Sequence, residues 1–345
     1  MLRFYSPSVK APCFFFTEAN TRGLLVDEIK SADFILLPFK YEIIYDFSEE
    51  ELIKEGLTMS DIPYLKEIAV ELEHLSFRTG KKLIVFFYRD SFLRLPFRNA
   101  LIFRTSTFAS YNRDGEFGMP AFIDNFRKTP QFRTKSWQSI PSVSFRGSSA
   151  PLKLPTGIQV RTKLNEFFDR SGISFRVKNW YNEGYLLRRK AILSVQRKAA
   201  HFKTDFYLNQ VDQGTPQSVL NYWKSLETND YFICTRGHGN YSFRLYEIMQ
   251  HGRIPVFIQT DSLLPAMDVI PWKNITIWIE EKEVNSTAEK ILNFHHSIKP
   301  GNFIELQQEI RVYWQKYLCY KGFATYLIDQ FLPDLMFNGA THDRY

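Results

Sequence analysis

Short apolar runs alternate with helix-length amphipathic stretches along this chain, and the alternation occurs twice. In the first series "LRFYS" (2–6), "DFILLPF" (33–39), "KLIVFFY" (82–88) and "ALIFRTSTF" (100–108) have the length and residue types of strands. Between them "SEEELIKEG" (48–56) and "DIPYLKEIAVELEHLSFRTG" (61–80) read as helices. In the longer one Leu65, Ile68, Leu72 and Leu75 recur at three- and four-residue spacing, and Gly80 is placed to stop it. The second series has strands at "SVSF" (142–145), "YFIC" (231–234), "IPVFI" (254–258) and "ITIW" (275–278), with helical patterns at 158–170, 183–201, 215–226 and 242–251. Strands separated by helices imply parallel sheets, because parallel neighbours need a long crossover. The chain is therefore read as two parallel-sheet α/β domains. A basic stretch with two prolines, "FRKTPQFRTKSWQSIP" (126–141), joins them. Ligands of such sheets bind beyond the carboxyl ends of the strands, so the cleft between the two is the natural site.

The length of 345 residues suits two domains. No run reaches the roughly 18 uninterrupted apolar residues of a membrane helix, and "MLRFYSPSVK" lacks the apolar core of a signal peptide. Cys13, Cys234 and Cys319 are odd in number and far apart, which argues against a disulfide framework or a thiolate metal site and suits a reducing, cytoplasmic setting. The net charge of +7 favours anionic partners such as phosphates, acidic sugars, nucleic acid or, in peripheral contact, an anionic membrane face, and equally suits a merely soluble basic protein. The 32 phenylalanines exceed simple core needs and would suit stacking on bases or sugar rings. At the carboxyl end, Phe303, Leu306, Ile310, Tyr313 and Tyr317 follow one helix face, which reads as core packing.

"TRGHGNYSFRLYEIMQHGRIPVFI" (235–258) carries the chemistry. The loop "TRGHGN" follows a strand, and a helix starts near Ser242. A helix amino end offers unpaired N–H groups and partial positive charge, which suit a phosphate. Gly237 and Gly239 allow close backbone approach, and Arg236 can bond a phosphate in bidentate fashion. Glu247 lies five residues beyond Ser242, roughly 7 Å along the axis, about the reach from a diphosphate to a ribose. Arg244 shares its helix face. The same spacing also suits an exposed salt bridge after an ordinary loop, and spacing alone leaves both readings open. "SFRGSS" (144–149) is a second phosphate candidate, with Arg146 and Gly147, and equally a turn with an exposed arginine.

Other devices are missing from the sequence. There is no P-loop, no G-x-S-x-G, and no D-x-D pair for a metal-bound diphosphate. His295 and His296 are adjacent and read as part of a solvated helix face, not a metal site. The basic cluster "LLRRK" with "QRK" (186–198) reads likewise, so no specific nucleic-acid partner is expected.

Residues 231–258 resemble the signature of exostosin-like glycosyltransferases of family 47: a strand, an R-G loop, S-x-R-x-x-E and G-x-I-P-V. Arg236, Gly237, Ser242, Arg244, Glu247, Gly252, Ile254, Pro255 and Val256 match; Thr235 replaces the usual proline. Trp272 and Glu281 match a following stretch; "SADFILLPF" (31–39) and "VSFRG" (143–147) resemble upstream strands. In "FFYRDSF" (86–92) Asp90 matches, while Arg89 and Ser91 replace a histidine and a tryptophan. The resemblance implies a GT-B fold with two facing Rossmann-like domains. These are an acceptor domain over 1–138, a nucleotide-sugar domain over 139–310, and carboxyl-terminal helices over 311–345 packing back across both. It implies an inverting, metal-independent transferase with no cofactor, acting on a nucleotide sugar and on a glycan or glycolipid acceptor. Animal and plant members are usually anchored by an amino-terminal membrane helix; since none is read here, a soluble chain is expected, and a UDP-linked donor is the expected one.

On this reading Ser242, Arg236, Arg146, Gly147, Gly237 and Arg244 hold the diphosphate and Glu247 the nucleoside. Asp90, after a first-domain strand, is the candidate general base, with Glu42 and Asp124 in reserve. For Asp90 a loop cap or a salt bridge is the competing role. A degenerate, non-catalytic module binding a glycan or anionic polymer is the competing reading of the whole.

Overall fold

The computed structural model describes residues 1–92, 94–111, 113–123, 132–149, 183–208 and 215–338, with positions 160, 161, 163–165, 167, 168 and 171. Parts of the helix expected at 158–170 (158, 159, 162, 166, 169 and 170), and Asp124, lie outside the described residues. Among the described residues eleven strands form two sheets. The first holds β1 (Phe4–Tyr5), β2 (Leu25–Val26), β3 (Phe34–Leu36), β4 (Leu83–Phe87), β5 (Ala100–Arg104) and β6 (Glu116–Gly118) in the order β2-β1-β3-β4-β5-β6. The second holds β7 (Ser142–Arg146), β8 (Lys203–Tyr207), β9 (Tyr231–Cys234), β10 (Ile254–Gln259) and β11 (Ile277–Glu280) in the order β11-β10-β9-β7-β8. Every pairing within the sheets is parallel. Two facing parallel α/β sheets are the GT-B architecture.

The inner strands are buried along their length, as strands covered by helices on both faces must be. The helix Ile62–Thr79 buries Leu65, Ile68, Ala69 and Leu72, and Gly80 ends it at φ 71°, a left-handed backbone that glycine adopts without strain. Many of the phenylalanines go to the core: Phe4, Phe15, Phe86, Phe103, Phe145, Phe232 and Phe303 are almost wholly buried, while Phe77, Phe167 and Phe337 are exposed. The helical segments Tyr320–Tyr326 and Leu327–Phe331 return to the first domain, where Tyr320 stacks on Phe122 at 4.2 Å and Phe331 meets Phe117 of β6 at 4.9 Å.

The elements that escape sequence reading are at the edges. β2 and β6 are two and three residues long, and β8 reads "KTDFY", too polar to signal a strand. The helix Phe14–Thr21 begins with three phenylalanines and lacks a clear apolar period. β11 starts two residues later than expected, because Trp272–Ile275 form a helical turn first. The part of the joining segment that is described is packed, not loose. Lys135 pairs with Asp230 at 2.9 Å, and Trp137 stacks on His295 at 5.0 Å. His295 is therefore no surface residue: it is fully buried, donates from Nε2 to Gln138 O and accepts from Tyr231 OH, each at 2.8 Å. Burial pushes its pKa down, which keeps the ring neutral.

Candidate active site

The second sheet reverses its strand order between β7 and β9, and a cavity of about 580 Å³ opens at their carboxyl ends. This is where an open parallel sheet leaves a crevice. Of the residues singled out in the sequence, Asp90, Arg146, Gly147, Gly237, Ser242, Arg244 and Glu247 line it.

Ser242 stands in extended backbone immediately before the helix Phe243–Gln250, and its hydroxyl makes no capping bond. The helix amino end thus faces the cavity without being closed by its own cap. Arg244, in the first turn, folds back across the β7 loop. Its Nη2 donates to Arg146 O, and its guanidinium lies 4.6 Å over the Phe145 ring. Gly147 makes this possible. Its φ is 146°, and a Cβ there would stand 2.8 Å from Arg244 Nη2. The Arg244 Nε is buried with no hydrogen-bond partner.

Glu247 lies further along the same helix face, and its Oε2 accepts from Tyr222 OH at 2.8 Å. Burial, then the neighbouring Glu247 charge, raise the Tyr222 pKa, so the phenol stays protonated and can donate. Glu247 is not paired with Arg244 in an exposed salt bridge; it presents its carboxylate to the cavity from a tyrosine-held position.

Two arginines sit differently from their expected places. Arg146 reaches the cavity wall, but its guanidinium is bound by Asp205 of β8, Nη2 to Oδ1 at 2.5 Å and Nε to Oδ2 at 3.2 Å. Its charge is largely compensated before any ligand arrives. Arg236 does not line the cavity. It is 4% exposed, stacks 5.8 Å over Phe108 of the first domain, and faces the Glu281 charge. Burial pushes its pKa down to about 10, still well above neutral. Gly237 lines the cavity, but its N–H is spent on Tyr241 O at 2.8 Å, closing the loop upon itself.

Asp90 enters from the other domain, in the loop that follows β4. Tyr241 donates its hydroxyl to Asp90; burial, then that carboxylate, raise the phenol's pKa. A Cβ on Gly239 would lie 2.8 Å from both Asp90 Oδ1 and Ser106 Oγ, so a side chain there would wedge the two domains apart. The seam is hydrogen-bonded beside it. Asn240 N donates to Ser106 Oγ at 2.8 Å, and its amide nitrogen reaches Thr107 O and Thr260 O at 3.0 Å. Glu42 lies outside the cavity, 1% exposed, accepting from Tyr88 N at 2.9 Å.

Residues 170–294 match the family model described as the exostosin GT47 domain. A probable glucuronosyltransferase of Oryza sativa subsp. japonica is 38% identical over 63 residues, which are 18% of this chain and 15% of that protein. A probable beta-1,4-xylosyltransferase of Arabidopsis thaliana is 36% identical over 63 residues, again 18% and 15%. Exostosin-1 of Drosophila melanogaster is 29% identical over 97 residues, 28% of this chain and 12% of the other. The matched segments thus span less than a fifth of these relatives' length. Among solved structures, a glycosyltransferase from Rickettsia africae covers 98% of this chain and 100% of its own at 12% identity and a TM-score of 0.37.

The segment that matches the family model contributes a cavity residue that the sequence reading set aside. Arg188, within the basic cluster taken for a solvated helix face, comes from the helix Glu183–Gln196 and bridges both loops. It donates to Ser148 O at 3.0 Å, Thr235 Oγ1 at 2.9 Å and Arg236 O at 2.9 Å. Its guanidinium lies 5.8 Å over Phe145, the ring that also carries Arg244. Burial first, then the Arg244 charge, push its pKa down to about 10, so it remains a cation. Gly184 held a signal for this arrangement. A Cβ there would stand 2.3 Å from Arg236 O, so the helix can approach the loop only through a glycine one turn before Arg188. Among the described residues no helix is long and apolar enough to cross a membrane.

Proposed function

We propose that this chain is a glycosyltransferase that moves a sugar from a nucleoside diphosphate, UDP-linked, to a hydroxyl of a glycan or glycolipid, with inversion. One observation carries the reading. A carboxylate of the first domain, Asp90, and the Arg188, Arg244 and Glu247 side chains of the second line a single cavity of about 580 Å³. That volume is in the range of pockets that enclose one small-molecule ligand.

The diphosphate lies against the uncapped start of the helix Phe243–Gln250, between the guanidinium groups of Arg188 and Arg244. Two neighbouring cations that share one aromatic ring repel each other, and a dianion between them relieves that repulsion. Glu247, oriented by Tyr222, accepts hydrogen bonds from the ribose hydroxyls. The sugar then points towards Asp90. The acceptor oxygen attacks the anomeric carbon, the bond from that carbon to the diphosphate oxygen breaks, and the electron pair leaves with UDP. The acceptor's proton passes to Asp90. One in-line displacement inverts the anomeric centre. Arg146 supports the loop through Asp205 and does not meet the phosphate as a free charge.

The test is calorimetry with UDP, ADP and GDP, followed by assay of UDP release from a panel of UDP-sugars. Micromolar binding of UDP and slow release of UDP to water support the reading. Failure to bind any nucleoside diphosphate overturns it. Tight UDP binding without turnover of any sugar makes the chain a binding module.

A further inference from the structure

A second cavity, of about 1030 Å³, opens at the carboxyl ends of β10 and β11, beside the first along the same sheet. Its carboxylates are already occupied. Asp261 accepts from Ser110 N at 3.1 Å, Glu280 accepts from the Trp278 indole N–H at 2.8 Å, and Glu281 faces Arg236. Its ammonium groups are not. Lys190, Lys273 and Lys282 line the cavity and make no ion pair among the described residues. Nearby acids are taken by other lysines: Glu283 by Lys290 at 3.1 Å and Glu289 by Lys198 at 2.9 Å. Lys273 Nζ lies 5.6 Å over the Trp278 ring, so an indole fixed by Glu280 holds that cation at the wall. The cavity is left with a net positive lining, in a chain of net charge +7.

We propose that this cavity binds an anionic saccharide chain, a run of uronate residues in the acceptor, through Lys190, Lys273 and Lys282. The proposal rests on the donor reading of the neighbouring cavity. The space is larger than the neighbouring cavity proposed for the nucleotide sugar, so it has room for several linked rings. Asn274 and Asn285 on its wall provide amides suited to sugar hydroxyls, which a simple inorganic anion would not use. The position is also apt. Asp261 ties the rim to Ser110 of the first domain, at the same seam where Asn240 is held by Ser106 and Thr260 beside Asp90. A chain lying here runs along the domain seam towards the proposed base.

The experiment is calorimetry of the full chain with tetragalacturonate, with neutral maltotetraose of equal length, and with UDP, repeated for K273A/K282A. Both lysines are exposed, so the double variant should fold. Tetragalacturonate should bind and maltotetraose should bind at least about tenfold more weakly. The double variant should lose about tenfold or more in tetragalacturonate affinity while UDP affinity stays unchanged. Equal binding of the two saccharides, or an unaltered affinity in the double variant, overturns the proposal. UDP binding without tetragalacturonate binding overturns this site and leaves the donor reading standing. The reverse pattern supports this site and removes the donor reading.

Discussion

The two sheets share one strand order, yet only one has an open crevice where that order reverses. In the first sheet β1 lies between β2 and β3, as β7 lies between β8 and β9 in the second. At the ends of β1 and β3 the chain fills the gap itself. Ser6 Oγ donates to Leu36 O at 2.9 Å, and Cys13 N donates to Pro38 O at 2.6 Å. Phe15 and Phe16 close the core behind them. Even the short helix after β3 carries a buried carboxyl group of its own, Glu42, in its first turn. The equivalent helix after β9 follows Ser242, has no side-chain cap, and carries Arg244 in its first turn, facing an open cavity. The same topology therefore gives a sealed crevice in one case and, in the other, the cavity proposed to hold the diphosphate. What the chain places at the strand ends decides which, not the fold.

The largest effect should come from the one residue by which the first sheet enters the second sheet's cavity. Asp90→Asn keeps the shape and a hydrogen-bond acceptor for Tyr241 but cannot take a proton at neutral pH. Turnover should fall by about 10²–10⁴-fold, while UDP affinity changes little. Asp90 is exposed, so the melting temperature should hold. Near-normal turnover would remove Asp90 as the base, and a lowered melting temperature with normal turnover would make it a structural cap.

Glu42 tests the sealed crevice. Burial raises its pKa to about 7, against the opposing pull of the Tyr88 N–H and the Lys40 and Arg89 charges. Its folded-state pKa lies above its unfolded value, so the folded protein retains a proton that the unfolded chain releases. The resulting stability is complete below the usual glutamate range and is lost as the pH rises towards 7. Glu42→Gln, neutral at every pH and still able to accept from Tyr88 N–H, should match the native protein near pH 4. At pH 8 it should exceed it by about 3 kcal/mol. Melting curves with the same difference at both values would show that Glu42 stays ionised in the fold.

What was legible in the sequence follows the same division. The inner strands and the helix Ile62–Thr79 could be read because burial on both faces, or on one stripe, writes a plain hydrophobic pattern. The family could be read because residues 235–258 bring loop, cap and helix together in sequence. Arg188 could not, since its role depends on a helix that crosses from some 50 residues upstream to reach Arg236 O. Nor could the fates of Arg146 and Arg236 be told apart. One meets Asp205 on an edge strand too polar to be recognised, and the other meets Phe108 across the domain seam. His295 was misread for a similar reason: its partners, Gln138 and Tyr231, are distant in sequence.

The contrast between the arginines can be sharpened directly. Arg244→Ala removes a charge-assisted contact worth about 1.5–3 kcal/mol, so UDP should bind roughly ten- to a hundredfold more weakly. Arg236→Ala should leave UDP affinity almost unchanged and lower the melting temperature, because it strips a buried side chain from between Phe108 and Glu281. Calorimetry and thermal melts on both variants separate the two roles. Equal losses of UDP affinity, with neither protein destabilised, would return Arg236 to the diphosphate.

The smallest effect belongs to the ribose end. Glu247→Gln keeps the size and one acceptor oxygen for Tyr222 OH but loses the charge that strengthens bonds from two ribose hydroxyls. The matched comparison is UDP against 2′,3′-dideoxy-UDP, in the native protein and in the variant. The native protein should prefer UDP by about tenfold, the worth of one charge-assisted hydrogen bond, and the variant by only a few-fold. Tyr222→Phe should fall between them, since it frees the carboxylate to rotate without removing it. The native and Gln variants discriminating equally would mean that no ribose reaches Glu247. In that case the nucleoside would have to lie against the β8 side of the cavity, near Tyr207, and the helix face of Arg244 and Glu247 would have lost half its assigned work.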